Sequence, residues 1–278
     1  MTPLLRHPRD VNHDDRRMVV EPGTPAPKPM TAQVVLAGVA LLFILSLLVT
    51  QVASCAAPRS GPIPDVQRPE TLALHFGGTD RGGRAVTLAQ LDRLRVIPSR
   101  PDVPGYRRAN FGPGLTEIGS DAAPGAYGGN GCRTRADALR AQATRATYVR
   151  KGRCTTEVRT ATIADPYTGR SLAYTSARAS AVQVDHVRAL SDAWDSGAAV
   201  WSQSQRAAYA NDNLNLIATD GRVNASKSDR GPEAWMPAHK PGACIYATRY
   251  VQVSGKYRLP VTVAQRDSLR STIKGACT

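Results

Sequence analysis

The spacing of apolar residues divides the chain into a continuous apolar block and a longer region of helical and strand-like patterns. Residues 34–50 read VVLAGVALLFILSLLVT without a charge, and with the QVAS that follows they reach the length needed to cross a bilayer. The pattern predicts four parts: a polar, proline-rich leader (1–33), a transmembrane or signal-anchor segment (34–54), a proline-rich linker (55–70) and a folded domain (71–278).

The first half of the predicted domain shows two helical patterns separated by a glycine- and proline-rich stretch. In TLAQLDRLRVI, leucines recur at helical spacing and Thr87 is the expected N-cap. Residues 98–131 are rich in glycine and proline, which predicts a long loop. Residues 132–149, CRTRADALRAQATRATYV, are expected to form one helix with three inward positions: Ala138, Leu139 and Ala143.

The second half begins with alternating, strand-like patterns. Residues 155–176 alternate around the break DPYTG, which predicts a hairpin, and AVQVDHV predicts a strand that ends in an Asp-His pair. RALSDAWDSG predicts a short helix that stops at Gly197, and Ser202 with Gln205 has the spacing of a capping box.

The remaining pattern predicts one more strand and three helices. NLNLIAT predicts a strand, Asp220-Gly221 a turn, and RVNASKSD the start of a helix. ACIYATRYVQVSGKY and TVAQRDSLRSTIKGAC then predict a pair of C-terminal helices. The overall expectation is an α+β domain.

Charge and cysteine usage place this domain outside the cytoplasm. The chain has 36 Lys+Arg against 22 Asp+Glu, a formal charge of +14, and nearly all of the surplus follows the apolar block. Such a surplus favours polyanionic partners such as nucleic acid, although an ordinary solvated surface explains it equally well. Because Arg16, Arg17 and Lys28 precede the block, the positive-inside tendency directs the domain outward. The short sequence VASC also resembles a lipobox, which makes Cys55 an alternative lipidation site.

The other cysteines suit disulfides in an oxidising compartment. Setting Cys55 aside leaves Cys132, Cys154, Cys244 and Cys277, which permit three connectivities. The local pairs Cys132 with Cys154 and Cys244 with Cys277 are favoured. A zinc site is the rival interpretation, but no Cys-x-x-Cys pair supports it.

Two motifs carry the candidate chemistry. VQVDHVRALSDAW (182–194) is followed by NLIATDGRVNASKSDRGPEAW (215–235), so that a strand with an Asp-His pair precedes a second strand and a helix. At these motifs the chain resembles the HNH, or His-Me finger, endonucleases, whose site is a ββα-metal unit. It resembles in particular the exported bacterial proteins related to the C-terminal domain of GmrSD restriction enzymes.

The resemblance implies a role for each site residue. His186 would be the general base that takes a proton from the attacking water, and Asn215 would orient its imidazole. Asp185 and Asn224 would ligate one divalent metal, and these hard oxygen ligands suit Mg²⁺, with Mn²⁺ as an alternative. Lys227 and Arg135 are candidates for contact with a substrate phosphate, although Lys227 could equally be a plain surface lysine.

These observations predict a metal-dependent, largely sequence-nonspecific endonuclease that hydrolyses phosphodiester bonds of DNA, or of RNA, outside the cytoplasm. The alternative is a non-catalytic, envelope-anchored module that keeps the fold and binds anionic polymers. A metallopeptidase is disfavoured because the chain has no His-Glu-x-x-His stretch.

Overall fold

The computed structural model describes residues 81–112, 127 and 129–278, all of which lie in one compact unit, Asp65–Thr278. Among these residues the fold contains both helices and strands and has two disulfides. The predicted mixture of helices and strands and the predicted disulfides are confirmed. The predicted leader, membrane segment, linker and Cys55 lie outside the described residues. Within the described part, no helix is both long and apolar enough to span a bilayer.

Three helices form the C-terminal layer: α1 (Arg81–Arg93), α6 (Lys240–Lys256) and α7 (Val263–Ala276). A short parallel pair, β1 (Val96–Ile97) with β7 (Val261–Thr262), lies beside them. The core of this layer contains the buried side chains of Leu91, Tyr246, Tyr250, Leu269 and Ile273. Both predicted C-terminal helices are confirmed, and the disulfide between Cys244 and Cys277 joins α6 to the end of α7.

The start of α1 differs from the sequence-based expectation. Thr87 is not an N-cap, because the helix begins at Arg81 and continues through this position. Its hydroxyl donates a hydrogen bond of 2.8 Å to the carbonyl of Gly83, four residues earlier, and its side chain is buried. A threonine that satisfies its hydroxyl on the preceding turn is compatible with a helix interior.

A three-stranded antiparallel sheet follows, in the order β2 (Ala143–Lys151), β3 (Cys154–Ala164), β4 (Ser171–Thr175). The hairpin predicted around DPYTG is confirmed as β3 and β4. The helix predicted over 132–149 is wrong beyond α2 (Thr134–Gln142). From Ala143 onward the chain pairs with β3, so tertiary strand pairing overrides the helical spacing.

The disulfide between Cys132 and Cys154 ties the start of α2 to the start of β3. It encloses α2 and β2, and therefore holds the helix against the sheet that follows it. Both disulfides join the cysteines that were expected to pair from their positions in the chain.

The element that positions the candidate site is an antiparallel pair followed by a helix. It consists of β5 (Val182–His186), β6 (Leu216–Asp220) and α5 (Gly221–Lys227), with His186 opposite Leu216 in the register. Of the predicted strand NLNLIAT, the first three residues form a 3₁₀ turn, Asn213–Asn215, and the strand begins at Leu216.

Asp220 and Gly221 do not form a separate turn. Asp220 ends β6 and also caps α5, since its carboxylate accepts hydrogen bonds from the backbone amides of Arg222 and Val223. A Cβ atom at Gly221 would lie 2.5 Å from the carbonyl oxygen of Ser180. The glycine therefore serves a close backbone contact, which allows the helix to start directly at the strand end.

The chain between the two strands forms α3 (Leu190–Asp195), a 3₁₀ turn and α4 (Gln203–Ala210). The predicted short helix is confirmed, with Gly197 at positive φ just beyond its end. The predicted capping box of Ser202 and Gln205 is present with both of its hydrogen bonds. Leu190 and Trp194 pack into a core that also contains Phe111 and Tyr209.

Candidate functional site

One pocket brings together the end of β5, the helix α5 and a segment from the N-terminal side of the domain. Its volume is about 300 Å³, and Asp185, His186 and Asn224 all line it. Tyr106 and Arg108 form part of its wall, from a segment that the antiparallel pair does not include. The predicted general base and both predicted metal ligands thus share one concavity.

Asp185 is buried and both of its carboxylate oxygens have a partner. Oδ1 accepts a hydrogen bond of 2.9 Å from Nζ of Lys227, and Oδ2 accepts one of 2.9 Å from the Tyr167 hydroxyl. Burial raises the pKa of Asp185, and this effect outweighs the opposing charges of Lys227 and Arg108. A carboxylate offers about four lone-pair directions, so these two bonds leave room for further ligands.

His186 is held by a backbone carbonyl. Its Nε2 lies 2.9 Å from the carbonyl oxygen of Ala210, at the end of α4. Because a carbonyl only accepts, Nε2 carries the proton and Nδ1 is the nitrogen with a lone pair. Burial lowers the pKa of His186 to about 3, so the ring is neutral at physiological pH.

Asn215 does not hold the imidazole. Its Oδ1 accepts a hydrogen bond of 2.9 Å from the backbone amide of Arg188, and its Nδ2 donates to the carbonyl of the same residue at 3.3 Å. The backbone amide of Val187 also donates to the Asn215 carbonyl, at 2.8 Å. The buried Asn215 therefore fixes the backbone just after His186, and the predicted contact with the ring is replaced by Ala210.

Asn224 lies on α5 with its amide oriented by β5. Its Nδ2 donates a hydrogen bond of 2.8 Å to Oε1 of Gln183, which turns the carbonyl oxygen Oδ1 away from that partner. Because Asn224 lines the same pocket as Asp185, the two residues offer one amide oxygen and one carboxylate to a common volume.

Lys227 is not a surface lysine. It is fully buried, and its ammonium donates to Asp185 and, at 2.8 Å, to the carbonyl oxygen of His186. Two of its three donors are therefore used within the protein. This geometry makes Lys227 a positioning residue for the Asp-His pair. Lys227 also lines the pocket, and its contact with a substrate phosphate stays a prediction.

Arg135 is also occupied within the fold. Its Nη2 donates to the carbonyl oxygens of Ala179 and Val182, each at 2.7 Å. These bonds connect α2 to the start of β5. Arg135 is not among the residues that line the pocket, and its phosphate contact stays a prediction.

Sequence reasoning missed Arg108. This exposed residue lines the pocket. Burial is the largest influence on the pKa values of Asp185 and His186, and the positive charge of Arg108 lowers both. The segment that carries it is anchored by the buried ring of Phe111 and by a hydrogen bond of 2.8 Å from Nε of Arg206 to the Asn110 carbonyl. No local pattern marks Arg108, because its neighbourhood arises from a contact across the fold.

Sequence reasoning also missed Tyr167, although the turn that holds it was visible. Asp165 is buried and accepts hydrogen bonds from the Tyr167 amide and the hydroxyls of Thr168 and Thr219. This side chain shapes the DPYTG turn and joins it to β6, which places the Tyr167 hydroxyl against Asp185. The Asx-turn pattern signals the turn, but the contact with Asp185 follows only from the tertiary structure.

The donor set near the pocket fits one kind of metal. The described residues hold no cluster of three or more His, Cys, Asp or Glu side chains that could bind an ion. A soft metal needs several nitrogen or sulfur ligands, and these residues do not provide them. A carboxylate with spare lone pairs and an amide oxygen instead suit a hard cation such as Mg²⁺, which keeps several waters.

Comparisons with known proteins identify the family of this chain. Residues 133–272, about half of the chain, match the family model for the C-terminal domain of GmrSD restriction endonucleases. The chain is also 36% identical over 185 residues to an uncharacterized secreted protein of Arthroderma benhamiae, covering 66% of this chain and 81% of that relative. No solved structure matches the chain significantly. The class that the match defines is a nuclease-type domain, and this chain belongs to the family of GmrSD C-terminal domains.

Proposed function

We propose that this protein is a metal-dependent endonuclease of the HNH type that hydrolyses phosphodiester bonds of DNA, or of RNA, outside the cytoplasm. The observation that carries the proposal is the single pocket lined by Asp185, His186 and Asn224 at the junction of β5 and α5. This strand-strand-helix arrangement supports a ββα-metal core. Membership of the GmrSD C-terminal family supports a nucleic acid substrate.

His186 is the general base in this proposal. Its Nε2–H donates a hydrogen bond to the Ala210 carbonyl, so Nδ1 is the nitrogen that accepts a proton from a water molecule in the pocket. Because its pKa is lowered to about 3, the imidazole of the folded protein is neutral at physiological pH. Asn215 and Lys227 keep the backbone around His186 in place through their bonds to Arg188 and to the His186 carbonyl.

Asp185 and Asn224 would hold one hard divalent cation, with Mg²⁺ as the best fit and Mn²⁺ as an alternative. When bound, such a cation neutralises charge on the phosphate and the departing oxygen. The Lys227 ammonium keeps Oδ1 of Asp185 in place, and the Tyr167 hydroxyl does the same for Oδ2. The carboxylate is therefore oriented before any ligand arrives.

Arg108 supplies a positive charge at the mouth of the same pocket. A guanidinium presents two parallel donors that match two oxygens of a phosphate. We assign it to the scissile phosphate, which gains charge as the attacking water adds. The chain carries no signature for reading bases, so phosphate contacts are expected to dominate and activity is expected to fall with salt.

Two observations support a location outside the cytoplasm. The two disulfides suit an oxidising compartment, and the relative from Arthroderma benhamiae is described as secreted. The apolar segment at residues 34–54 would supply export or anchoring.

The test is cleavage of plasmid DNA and of RNA by the full chain with Mg²⁺, with Mn²⁺ and with chelator. Metal-dependent cleavage that His186→Ala and Asn224→Ala each abolish, with melting temperatures close to wild type, is the expected result. His239→Ala is the matched control, since this histidine lines a different pocket and is expected to leave cleavage unchanged. Nucleic acid binding that persists in chelator without any cleavage would instead support the non-catalytic module.

A further inference from the structure

A second concavity, the basic groove, lies between the end of α1 and the last turns of α6. Its volume is about 540 Å³, larger than the candidate site. Four of its lining residues are cationic and, among the described residues that line it, none is acidic. These cations are Arg93, Arg95, Lys256 and Arg258. The apolar floor includes Leu94 and Leu259.

Three of the four charges are available to a ligand. Lys256 forms an ion pair of 2.6 Å with Asp212. Arg93, Arg95 and Arg258 are exposed, and within the described part of the chain none of them has an ion-pair partner. The groove therefore carries an uncompensated positive potential above an apolar surface.

A glycine opens the floor of the groove without a packing reason. Gly255 lies in the last turns of α6, where glycine is less favourable than alanine. The nearest atom to a Cβ built there would be Cδ2 of Leu94 at 3.8 Å, an ordinary contact distance. A side chain would therefore fit, and its absence widens the groove.

An arginine stands on the rim at a position that favours glycine. Arg258 has a φ of 53°, in the left-handed region, just after the end of α6. The amide of Leu259 donates to the carbonyl of Ser254 at 2.9 Å, which closes the helix in the way that usually selects glycine. The chain thus has a glycine within a helix, where alanine is preferred, and an arginine at a left-handed position, where glycine is preferred. Both residues line the groove.

We propose that the basic groove binds a nucleotide unit of the nucleic acid strand outside the cleavage pocket. The phosphates contact Arg93, Arg95 and Arg258, and the base lies on the apolar floor. The groove is within the range of about 300–1,000 Å³ that small-ligand pockets occupy. The inference rests on the proposed function, because it takes the nucleic acid substrate from there.

The groove and the cleavage pocket border the same hydrophobic core. Leu259 of the groove and Leu190 of the pocket belong to the same hydrophobic cluster. The helix α3, which carries Leu190, spans on the order of 10 Å, since a helix rises about 1.5 Å per residue. One strand of a duplex carries a phosphate for about every 3.4 Å of duplex axis, so a strand of several nucleotides is longer than this helix.

The first test compares two arginines with the same backbone conformation. Arg258→Gly and Arg145→Gly each remove one exposed positive charge from a left-handed position, but Arg145 lies on β2, away from the groove. Both substitutions are expected to raise the melting temperature. Binding of a short fluorescein-labelled DNA single strand to the full chain is measured by anisotropy in chelator, at several salt concentrations.

Arg258→Gly is expected to weaken this binding by about threefold or more and to lower the salt slope by about 0.7, as for one lost phosphate contact. Arg145→Gly is expected to stay close to wild type. Equal losses in the two variants, or no loss in either, would overturn the assignment. Gly255→Leu tests the floor: it is expected to weaken binding without changing the salt slope, and unchanged affinity contradicts a base on the floor.

Two further readouts separate this inference from the proposed function. If the wild type cleaves DNA, Arg258→Gly is expected to raise KM and leave kcat unchanged. If the wild type never cleaves but binding still depends on Arg258, the nuclease proposal fails and the groove remains. Vesicles of phosphatidylglycerol that bind through Arg258 while the oligonucleotide does not would overturn the nucleotide assignment.

Discussion

Two buried aspartates, Asp185 and Asp192, lie seven residues apart, and their pKa values are shifted in opposite directions. Burial raises the pKa of each, but the net pKa of Asp192 is lowered whereas that of Asp185 stays raised. Each has a buried cationic partner, Arg188 for Asp192 and Lys227 for Asp185. The difference therefore lies in how completely the partners satisfy each carboxylate.

The region around Asp192 is closed. Arg188 donates to both carboxylate oxygens, at 3.1 and 3.2 Å, and Tyr250 and Ser196 donate to them as well. The remaining donors of the guanidinium bond Ser196, Ser254 and the Pro260 carbonyl. A buried network in which every member is satisfied rigidifies the structure, so this region contributes stability.

The region around Asp185 is open. Lys227 and Tyr167 each satisfy one carboxylate oxygen once, and the residue borders the pocket that contains His186 and Asn224. Its raised pKa shows that the charged form is incompletely stabilised by the protein alone. Two buried ion pairs thus serve different ends, because protein groups satisfy Asp192 on both oxygens, whereas Asp185 keeps room for a ligand.

The largest effect on stability is expected from breaking the buried ion pair between Arg188 and Asp192. Arg188→Met leaves Asp192 buried without its partner, which should lower the free energy of unfolding by about 3–5 kcal/mol in urea denaturation. The double variant Arg188→Met with Asp192→Leu removes both charges and should recover much of the loss. A double variant as unstable as the single one would contradict the ion-pair explanation.

A smaller loss, about 1–3 kcal/mol, is expected from Lys227→Met in the open region. Asp185 borders the pocket and its pKa is already raised, so it can take up a proton when the ammonium is gone. The deficit relative to wild type should therefore be smaller near about pH 5 than near about pH 8. Urea denaturation at both pH values measures it, and a deficit independent of pH would speak against the proton uptake.

The neutral state of His186 predicts a pH dependence of stability in chelator. The unfolded histidine takes up a proton below its ordinary pKa near 6.5, whereas the folded one stays neutral down to about 3. Stability from this group is present above pH 6.5 and is lost as the pH falls. One unit below 6.5 the loss is about 1.4 kcal/mol. Comparing wild type with His186→Ala isolates this slope, and parallel pH profiles would show that His186 does not titrate as expected.

The smallest effect on stability is expected at Arg108, which is exposed at the pocket, whereas Arg188 is fully buried. Arg108→Met should change the free energy of unfolding by less than about 0.5 kcal/mol, because its side chain is exposed. Cleavage should nevertheless fall by about 100-fold if the guanidinium contacts the scissile phosphate. Arg107→Met is the matched control, since this exposed neighbour does not line the pocket. A similar fall in both variants would reduce Arg108 to general electrostatics.

Local patterns predicted much of the fold. The alternating segments predicted β3, β4 and β5, the Ser202 capping box predicted the start of α4, and both disulfide pairs were favoured from their spacing. Prediction failed where local signals were weak or ambiguous. Residues 143–149 have helical spacing but form β2, because pairing with β3 decides the conformation of an alanine- and threonine-rich segment.

For the candidate site, the sequence by itself determined which residue types follow one another: an Asp-His pair at a strand end, a second strand and a helix that carries Asn224. In the structure β6 ends opposite the start of β5, and α5 begins at once and runs back along β5, which brings Asn224 beside Gln183 and Lys227 beside Asp185. Only the tertiary structure decided the partners of these residues. Lys227 pairs with Asp185, Ala210 holds His186, and Arg108 faces the pocket, because hydrogen bonds and burial depend on groups that are distant in the chain and meet only when it folds.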